Sequence, residues 1–399
     1  MKNITKLCLF LLLFVSCQRS ITYSFIKNEN IEVLEEEGSQ CACNDPAAYV
    51  PDTVIDGANH NYLININYHA LDFEKGKHNF SLEEMSPYFW LLTENANMRL
   101  RTNEKMKLPV GNLTPVIDPY YQYRMKASPD IGNTTALYHH RLDERTEAYF
   151  LNKGEGQNNF SRSVTRLAVH EDSILNVLVM SYPPDELEKS PQKYHGAGIS
   201  LGTIVKIAGL YQKGGEYWAY ATLLNHEIGH AFGLAHAWIA DGCDDTPTNP
   251  NCFDDNSCKG PSSNNLMDYN NSQMAMTPCQ IGRVRMIMAS EKAYQRKLLV
   301  HDWCTNPTGK TITIDQDIVW AGARDIDGDI IIKSGASLRL CCRVSMPENS
   351  KIVVESGGQL ILDNVRLHNS CGLEWGGIIV EKRGRKSGSV VRIGEVSLE

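Results

Sequence analysis

The strongest constraint on the fold is a spaced set of histidines in residues 225–236. His226 and His230 are four residues apart, so on an α-helix both imidazoles project from one face. Gly233 permits the backbone conformation with which helices commonly end and reverse, and the reversed chain would bring His236 back toward the first two histidines. The spacing therefore predicts a helix that ends near Gly233 and three imidazoles that meet at one point.

Three neutral imidazoles at one point predict a Zn²⁺ site with an open fourth position, which is the arrangement of a catalytic centre. We expect His226, His230 and His236 to be the ligands. Glu227 follows the first histidine, in a position to reach a water on the metal without being a ligand, and is the predicted general base. The alternative is a chance His-Glu-x-x-His on an amphipathic helix with packed or solvated histidines. Gly233 and His236 argue against that alternative, because a chance motif would not be expected to include both a helix-ending glycine and a third histidine.

Three further motifs lie downstream and carry a family resemblance. They are an acidic Asp-Thr-Pro loop, an Asn-Leu-Met-Asp-Tyr turn and the start of a closing helix, at Asp244–Pro247, Asn265–Tyr269 and Thr277–Met286. With the histidine motif, they resemble the pappalysin-like (cytophagalysin) branch of the metzincins. The resemblance covers residues 222–287 closely. The preceding part matches only in the order of its elements, and residues 310–399 lie outside the match.

The resemblance implies a zinc-dependent endopeptidase that hydrolyses peptide bonds of extracellular proteins or peptides. It implies an α+β, metzincin-type catalytic domain with an active-site helix and a Met-turn, in which Met267 forms the apolar floor under the zinc. Tyr269 is implied to approach the metal or the tetrahedral oxyanion, and its alternative role is a structural hydrogen bond. The alternative function is a catalytically inactive surface adhesin, against which the intact Glu227 argues. A zinc hydrolase of another amide is a third class, against which the resemblance argues.

An acidic loop after the histidine motif is a candidate Ca²⁺ site. Asp241, Asp244 and Asp245 lie close together, and Asp254 and Asp255 follow. Crowded carboxylates repel one another unless a cation or solvent neutralises them, and Ca²⁺ prefers oxygen ligands. The alternative is a solvated acidic loop without an ion.

The amino terminus predicts export. Two lysines precede the unbroken apolar run Leu7–Val15, so residues 1–17 are typical of a secretory signal peptide and too short for a membrane span. Residues 14–17 resemble a bacterial lipobox. They predict a lipidated Cys17 and a lipoprotein anchored to a membrane in the cell envelope or at the surface, and the alternative is plain secretion. Residues 18–50 are polar and are interpreted as a linker or short pro-like segment.

The cysteine count fits an exported chain. Of 12 cysteines, Cys8 and Cys17 lie in the signal region, which leaves 12 − 2 = 10. An even number in an oxidising compartment predicts disulfides. For Cys41 and Cys43 the favoured interpretation is disulfide bonding, and the alternative is latency, with a thiolate in the open zinc position.

Four cysteines lie within the family match. Cys252 and Cys258 stand where family cysteines do, whereas Cys243 and Cys279 depart from the family pattern. Cys243 and Cys279 are candidates for a local pair, but four cysteines allow three connectivities and the sequence does not choose among them.

The chain divides into two predicted domains. Residues 51–300 hold strand patterns, the histidine helix and a loop-rich acidic stretch, which predicts the catalytic domain. Residues 310–399 show β-branched alternation and glycine turns, which predict a small all-β module. Segments 331–340 and 353–362 match at a spacing of 22 residues. That repeat favours a coil of a β-solenoid over two hairpins of a small sandwich.

Within the predicted catalytic domain, hydrophobic periodicity predicts the individual elements. We expect strands over residues 62–68, 174–180 and 199–210, and helices over residues 86–101 and 216–233.

The net negative charge argues against nucleic acid as a partner. The sequence has 39 Lys and Arg against 47 Asp and Glu, a formal charge of −8, or 37 − 47 = −10 without the first 17 residues. Phosphate binding needs clustered cations, so no nucleic-acid partner is expected. The predicted partners are a protein or peptide substrate and, through a lipid on Cys17, a membrane.

Overall fold

The structure is a computed structural model. It describes residues 20–27, 31–34, 38–73, 80–142, 166–180, 197–208, 216–305 and 309–399. The predicted signal peptide and Cys17 lie outside these ranges. Within them, no helix is both long enough and apolar enough to cross a membrane.

The described residues form α-helices in the first part of the chain and β-strands throughout. The helices are α1 (Leu82–Arg101), α2 (Tyr217–Ala231), α3 (Asp255–Cys258) and α4 (Pro278–Ala289). The strands up to α2 are β1 (Ile21–Phe25), β2 (Glu32–Val33), β3 (Tyr62–Phe73), β4 (Tyr121–Met125), β5 (Leu137–Leu142), β6 (Leu175–Met180), β7 (Ala197–Ser200) and β8 (Ile204–Ala208). The later strands are β9 (Lys310–Ile314), β10 (Ile318–Trp320), β11 (Arg324–Asp325), β12 (Gly328–Ile332), β13 (Ser337–Ser345), β14 (Ile352–Val354), β15 (Gln359–His368), β16 (Ile378–Arg383), β17 (Lys386–Ser387) and β18 (Ser389–Leu398).

A mixed α/β arrangement surrounds the histidine motif. One sheet has the strand order β4-β3-β6-β8-β7, and β5 also pairs with β3. Its neighbouring strands are parallel except for β7, which is antiparallel to β8. Strand β6 is buried along its whole length, as expected of an inner parallel strand. Side chains from the sheet, α1, α2 and α4 form one hydrophobic core, which fixes α2 and its histidines relative to the sheet.

The later part of the chain is built from parallel strands in two sheets. Module sheet 1 has the order β1-β16-β14-β12-β9, with β17 on β16, and module sheet 2 has the order β10-β13-β15-β18-β2, with β11 on β13. Ile331 pairs with Val353 and Leu338 pairs with Leu360, which is the 22-residue offset of the sequence repeat. Inward-facing aliphatic side chains of both sheets form a second core.

Part of segment 18–50 lies against these two sheets. Strand β1 pairs antiparallel with β16, and β2 pairs parallel with β18. Disulfides join Cys41 to Cys341 and Cys43 to Cys342. This pairing agrees with the disulfide interpretation of Cys41 and Cys43 and not with a free thiolate that reaches the metal site.

The other six cysteines among the described residues are also paired. The disulfides are Cys243–Cys279, Cys252–Cys258 and Cys304–Cys371. Cys243 and Cys279 therefore form the local pair that the sequence left open.

A buried ionic cluster joins the two parts of the chain. Asp325 of β11 accepts hydrogen bonds from Arg296 (2.8 and 2.9 Å), from Arg343 (2.7 Å) and from the Tyr62 hydroxyl (2.8 Å). Burial alone would raise the pKa of Asp325, but Arg343 and Arg296 outweigh it and hold the pKa far below its usual range. Removing one partner from such a cluster typically lowers the free energy of unfolding by ~3–5 kcal/mol, because the remaining charges stay buried without a partner.

Candidate metal centre

Helix α2 and the turn after it bring the three predicted ligands together. His226 and His230 lie on one face of α2, and Gly233 has a positive φ of 83°, which reverses the chain and returns His236 to them. The Nε2 atom of His230 lies 3.1 Å from Nε2 of His226 and 3.1 Å from Nε2 of His236. These three histidines are one of the groups of potential ligands that converge among the described residues.

Hydrogen bonding fixes which nitrogens of the ligand candidates face one another. Nδ1 of His226 lies 2.7 Å from the carbonyl oxygen of Leu266, and Nδ1 of His230 lies 2.7 Å from that of Leu234. Because a carbonyl only accepts, each Nδ1 carries the proton of the neutral ring and each Nε2 presents a lone pair. Two lone pairs 3.1 Å apart repel unless a cation lies between them.

The spacing of these nitrogens also fits a metal ion. A tetrahedral ion with Zn–N bonds of ~2.0–2.1 Å sets its nitrogen ligands roughly 3.3–3.4 Å apart. The observed separations of 3.1 Å are close to that value. The donor set of three neutral imidazoles therefore fits Zn²⁺.

The electrostatics of the site keep the imidazoles neutral. Burial lowers the pKa of His226 to about 3 and that of His236 to about 4, and it also lowers the pKa of His230. Neutral imidazole is the form that binds a metal, so no proton has to be displaced at neutral pH.

Glu227 is buried beside the three histidines. Only 4% of its surface is exposed, and burial raises the pKa of its carboxyl to about 8. Gly198 of β7 lies against it, and a methyl group at Gly198 would overlap the Glu227 side chain. Because glycine has no side chain, position 198 leaves the space that the Glu227 side chain occupies.

Met267 packs against α2, and its implied role as the floor under the zinc stays a prediction. A methyl group at Gly229 would come within 2.8 Å of its sulfur, so the sulfur packs against the helix between the two ligand candidates. The turn is held by Asn265, whose Oδ1 accepts from the Met267 amide at 2.8 Å and whose Nδ2 donates to Gln280 at 2.9 Å. The same turn supplies the Leu266 carbonyl that orients His226.

Two aromatic rings flank His236. The Trp238 ring stacks on the imidazole with a centroid distance of 3.9 Å, and the Tyr269 ring lies 4.9 Å from the imidazole and 4.5 Å from the Trp238 ring. Tyr269 is 54% exposed. Burial and the nearby Glu227 charge raise the pKa of its hydroxyl, so the hydroxyl keeps its proton at neutral pH and can donate a hydrogen bond.

The three aspartates predicted to bind calcium have separate contacts in the structure. Asp241 accepts from the Cys243 amide (2.9 Å) and from the Thr246 hydroxyl (2.8 Å), Asp245 accepts from the Cys279 amide (3.0 Å), and Asp244 is exposed. Over the described part of the chain, these three carboxylates do not form a converging group. Calcium binding at this loop stays a prediction.

The sequence patterns missed three residues that contact the site. They are Gly198, Trp238 and Gln273. The Nε2 atom of Gln273 donates to the carbonyl oxygens of Leu266 and Asp268 at 3.3 and 2.7 Å and closes the turn. Only Trp238, two residues after His236, left a local signal, because it lies close in sequence to a ligand candidate.

A comparison with protein families supports this geometry for one segment of the chain. The model of the family described as metallo-peptidase family M12B, Reprolysin-like, matches residues 206–293, which contain the three histidines, Glu227 and Met267. The match supports a metallopeptidase. It implies a divalent metal and protein or peptide substrates for this part of the chain.

Two solved structures were also similar. Mature mirolysin of Tannerella forsythia in complex with a cleaved peptide shares 16% identity, over 61% of this chain and 97% of that chain, with a TM-score of 0.37. A promirolysin mutant from the same organism shares 16% identity, over 63% and 85% of the two chains, with a TM-score of 0.38. The comparison with curated proteins gave no match.

Proposed function

We propose that this protein is a zinc-dependent endopeptidase of the metzincin class, similar to its pappalysin-like branch, that cleaves extracellular proteins or peptides. The observation that carries the proposal is the convergence of the Nε2 atoms of three neutral imidazoles, with the buried carboxyl of Glu227 next to His226 on the same helix. Zinc is the metal that this donor set favours, because three imidazoles and an open position are typical of catalytic zinc sites.

The residues around the site have distinct proposed roles. Zinc, when bound, supplies a Lewis acid that lowers the pKa of water and polarises a carbonyl. Glu227 takes a proton from the attacking water and passes it to the leaving amine. Its side chain is 4% exposed, so a proton that it accepts is shielded from solvent until it reaches the leaving amine.

Tyr269 is the proposed donor to the oxyanion of the tetrahedral intermediate. Its ring lies next to His236, its hydroxyl is protonated at neutral pH, and it is exposed enough to meet a substrate. Met267 and the Leu266 carbonyl hold the floor of the site and the orientation of His226.

We further propose that the chain is exported and that residues 310–399 form a short β-solenoid. Parallel pairing at a 22-residue offset supports the solenoid. Five disulfides support an oxidising compartment. With the signal-peptide pattern, these observations favour a lipoprotein anchored through Cys17, or else a secreted protein.

Metal analysis combined with a cleavage assay tests this proposal. We expect about one zinc per chain, loss of casein cleavage on chelation and recovery on adding zinc. His230→Ala should bind zinc weakly and stay inactive, whereas His170→Ala, outside the site, should behave as wild type. Stoichiometric zinc in His230→Ala would refute the ligand set. Full zinc without cleavage of any protein would favour the adhesin alternative.

A further inference from the structure

Strand β1 presents apolar side chains to solvent on the outer face of module sheet 1. Ile21, Tyr23 and Phe25 are 44%, 62% and 68% exposed. They alternate along the strand and therefore share one face. The neighbouring strand shows that this face is the outer one, because Val380, which pairs with Ser24 on the opposite face, is buried in the core.

A group of cations lies directly beside these side chains. Lys382, Arg383, Arg385 and Lys386 flank Gly384 in the turn between β16 and β17, and all four are exposed. Arg383 pairs in register with Ile21 and with Lys386, so both of these cations lie on the apolar face, whereas Lys382 pairs with Thr22 and lies on the opposite face. Only Arg383 contacts a carboxylate in the described structure, that of Glu381 at 3.3 Å, and Lys386 donates to the Ser334 hydroxyl at 2.9 Å.

This basic–aromatic patch, formed by Ile21, Tyr23, Phe25, Arg383, Arg385 and Lys386, differs from the rest of the molecule. The whole chain has a formal charge of −8, so the patch concentrates charge of the opposite sign. Aromatic and aliphatic side chains flanked by Lys and Arg are the composition that binds the interface of an anionic bilayer. The rings enter the headgroup region and the cations attract anionic lipids.

We propose that the basic–aromatic patch is a docking surface for an anionic lipid bilayer. Single-stranded nucleic acid also binds cations and aromatic rings. Two observations favour lipid: the aliphatic Ile21 has no stacking role, and five disulfides indicate an oxidising compartment and not the cytosol or the nucleus.

The position of the patch within the fold suits this role. In module sheet 1, β1 is four strand spacings from β9, which is roughly 19 Å at ~4.8 Å per spacing. Strand β9 faces the peptidase part, since Gly57 lies against Lys310 and Lys310 pairs with Asp327 beside His60. The patch therefore lies at the end of the sheet away from the peptidase part. Strand β1 also begins four residues after Cys17, a reach of at most ~14 Å, so a lipid there would bring the patch to the membrane.

Vesicle co-sedimentation tests the proposal on the chain from Gln18 onward, which carries neither the apolar signal run nor an acyl group. We expect binding to vesicles of phosphatidylcholine with phosphatidylglycerol and much weaker binding to phosphatidylcholine alone. Arg383→Gln with Arg385→Gln should weaken binding roughly 25-fold, at about fivefold per cation. Tyr23→Ser with Phe25→Ser should weaken it about tenfold or more.

Matched controls separate the patch from general effects. Lys292→Gln with Lys297→Gln removes two exposed cations elsewhere, and Leu113→Ser removes a side chain that is 92% exposed. Both should bind vesicles as wild type, and thermal unfolding should show all variants folded. Wild-type binding by either patch variant, equal binding to neutral vesicles, or displacement by oligo-dT would overturn the proposal. Vesicle binding does not depend on peptide cleavage, so the lipid proposal and the peptidase proposal can fail separately.

Discussion

His60 is expected to make the junction between the peptidase part and the β-rich part sensitive to pH. Its imidazole is buried and lies between two carboxylates, with Nε2 3.3 Å from Asp302 and Nδ1 against Asp327. Its ring packs edge-on against Trp303 at a centroid distance of 5.3 Å. Burial alone would lower the pKa of His60, but the contacts with the carboxylates of Asp302 and Asp327 outweigh it and raise the pKa to about 8.

The sign and size of the effect follow from this pKa. Between the ordinary value of 6.5 and about 8, the folded chain holds a proton that the unfolded chain has lost. Unfolding free energy therefore falls as pH rises through this window. The difference corresponds to about 2 kcal/mol, fully present below pH ~6.5 and lost above pH ~8, at ~1.36 kcal/mol per pH unit.

Denaturant unfolding with the disulfides intact measures this contribution. The difference in unfolding free energy between wild type and His60→Gln should be larger at about pH 6 than at about pH 9, by about 2 kcal/mol. His170→Gln is the control, because His170 contacts Asp130 at 3.0 Å in a far more exposed position and should contribute little. A difference between wild type and His60→Gln that does not vary with pH would refute the reasoning.

Three further predictions concern the metal site and the cysteines. Tyr269→Phe should keep its zinc and lose roughly 10²-fold in kcat, as expected for an oxyanion donor, and an unchanged kcat would limit Tyr269 to packing. Trp238→Ala removes the ring stacked on His236 and should weaken zinc affinity about tenfold in a chelator competition; unchanged affinity would show that the stacking does not orient His236. Thiol titration of the denatured, unreduced protein from Gln18 onward should find no free cysteine, and a free thiol at Cys41 or Cys43 would revive the latency alternative.

Elements with strong local signals were predictable from the sequence. The predicted helix over 216–233 is observed as Tyr217–Ala231, because its apolar period and terminal glycine are local features. The helix predicted over 86–101 begins earlier, at Leu82, since Ser81 and Glu84 form a capping box and Pro87 lies inside the helix. The strand predicted over 199–210 is two strands, because Gly202, with a φ of 81°, turns the chain between β7 and β8.

Long-range pairings were beyond the reach of sequence patterns. Cys41 and Cys341 are 300 residues apart, and nothing local marks them as partners. The cluster of Asp325, Arg296 and Arg343 also depends on how β11 packs on the preceding part of the chain. Gly198 contacts Glu227 only because β7 runs antiparallel beside β8 and passes α2. Periodicity describes which face of an element is buried, but not which distant side chain lies against it.

Zinc content and peptide cleavage measured together on Glu227→Gln test the central claim most directly. Glutamine keeps the shape of the side chain and leaves the three imidazoles in place, but it cannot accept a proton from water. We therefore expect wild-type zinc content and a loss of ~10²–10⁴-fold in kcat/KM. Wild-type cleavage by the zinc-loaded variant would contradict the proposal that Glu227 is the general base of a zinc endopeptidase.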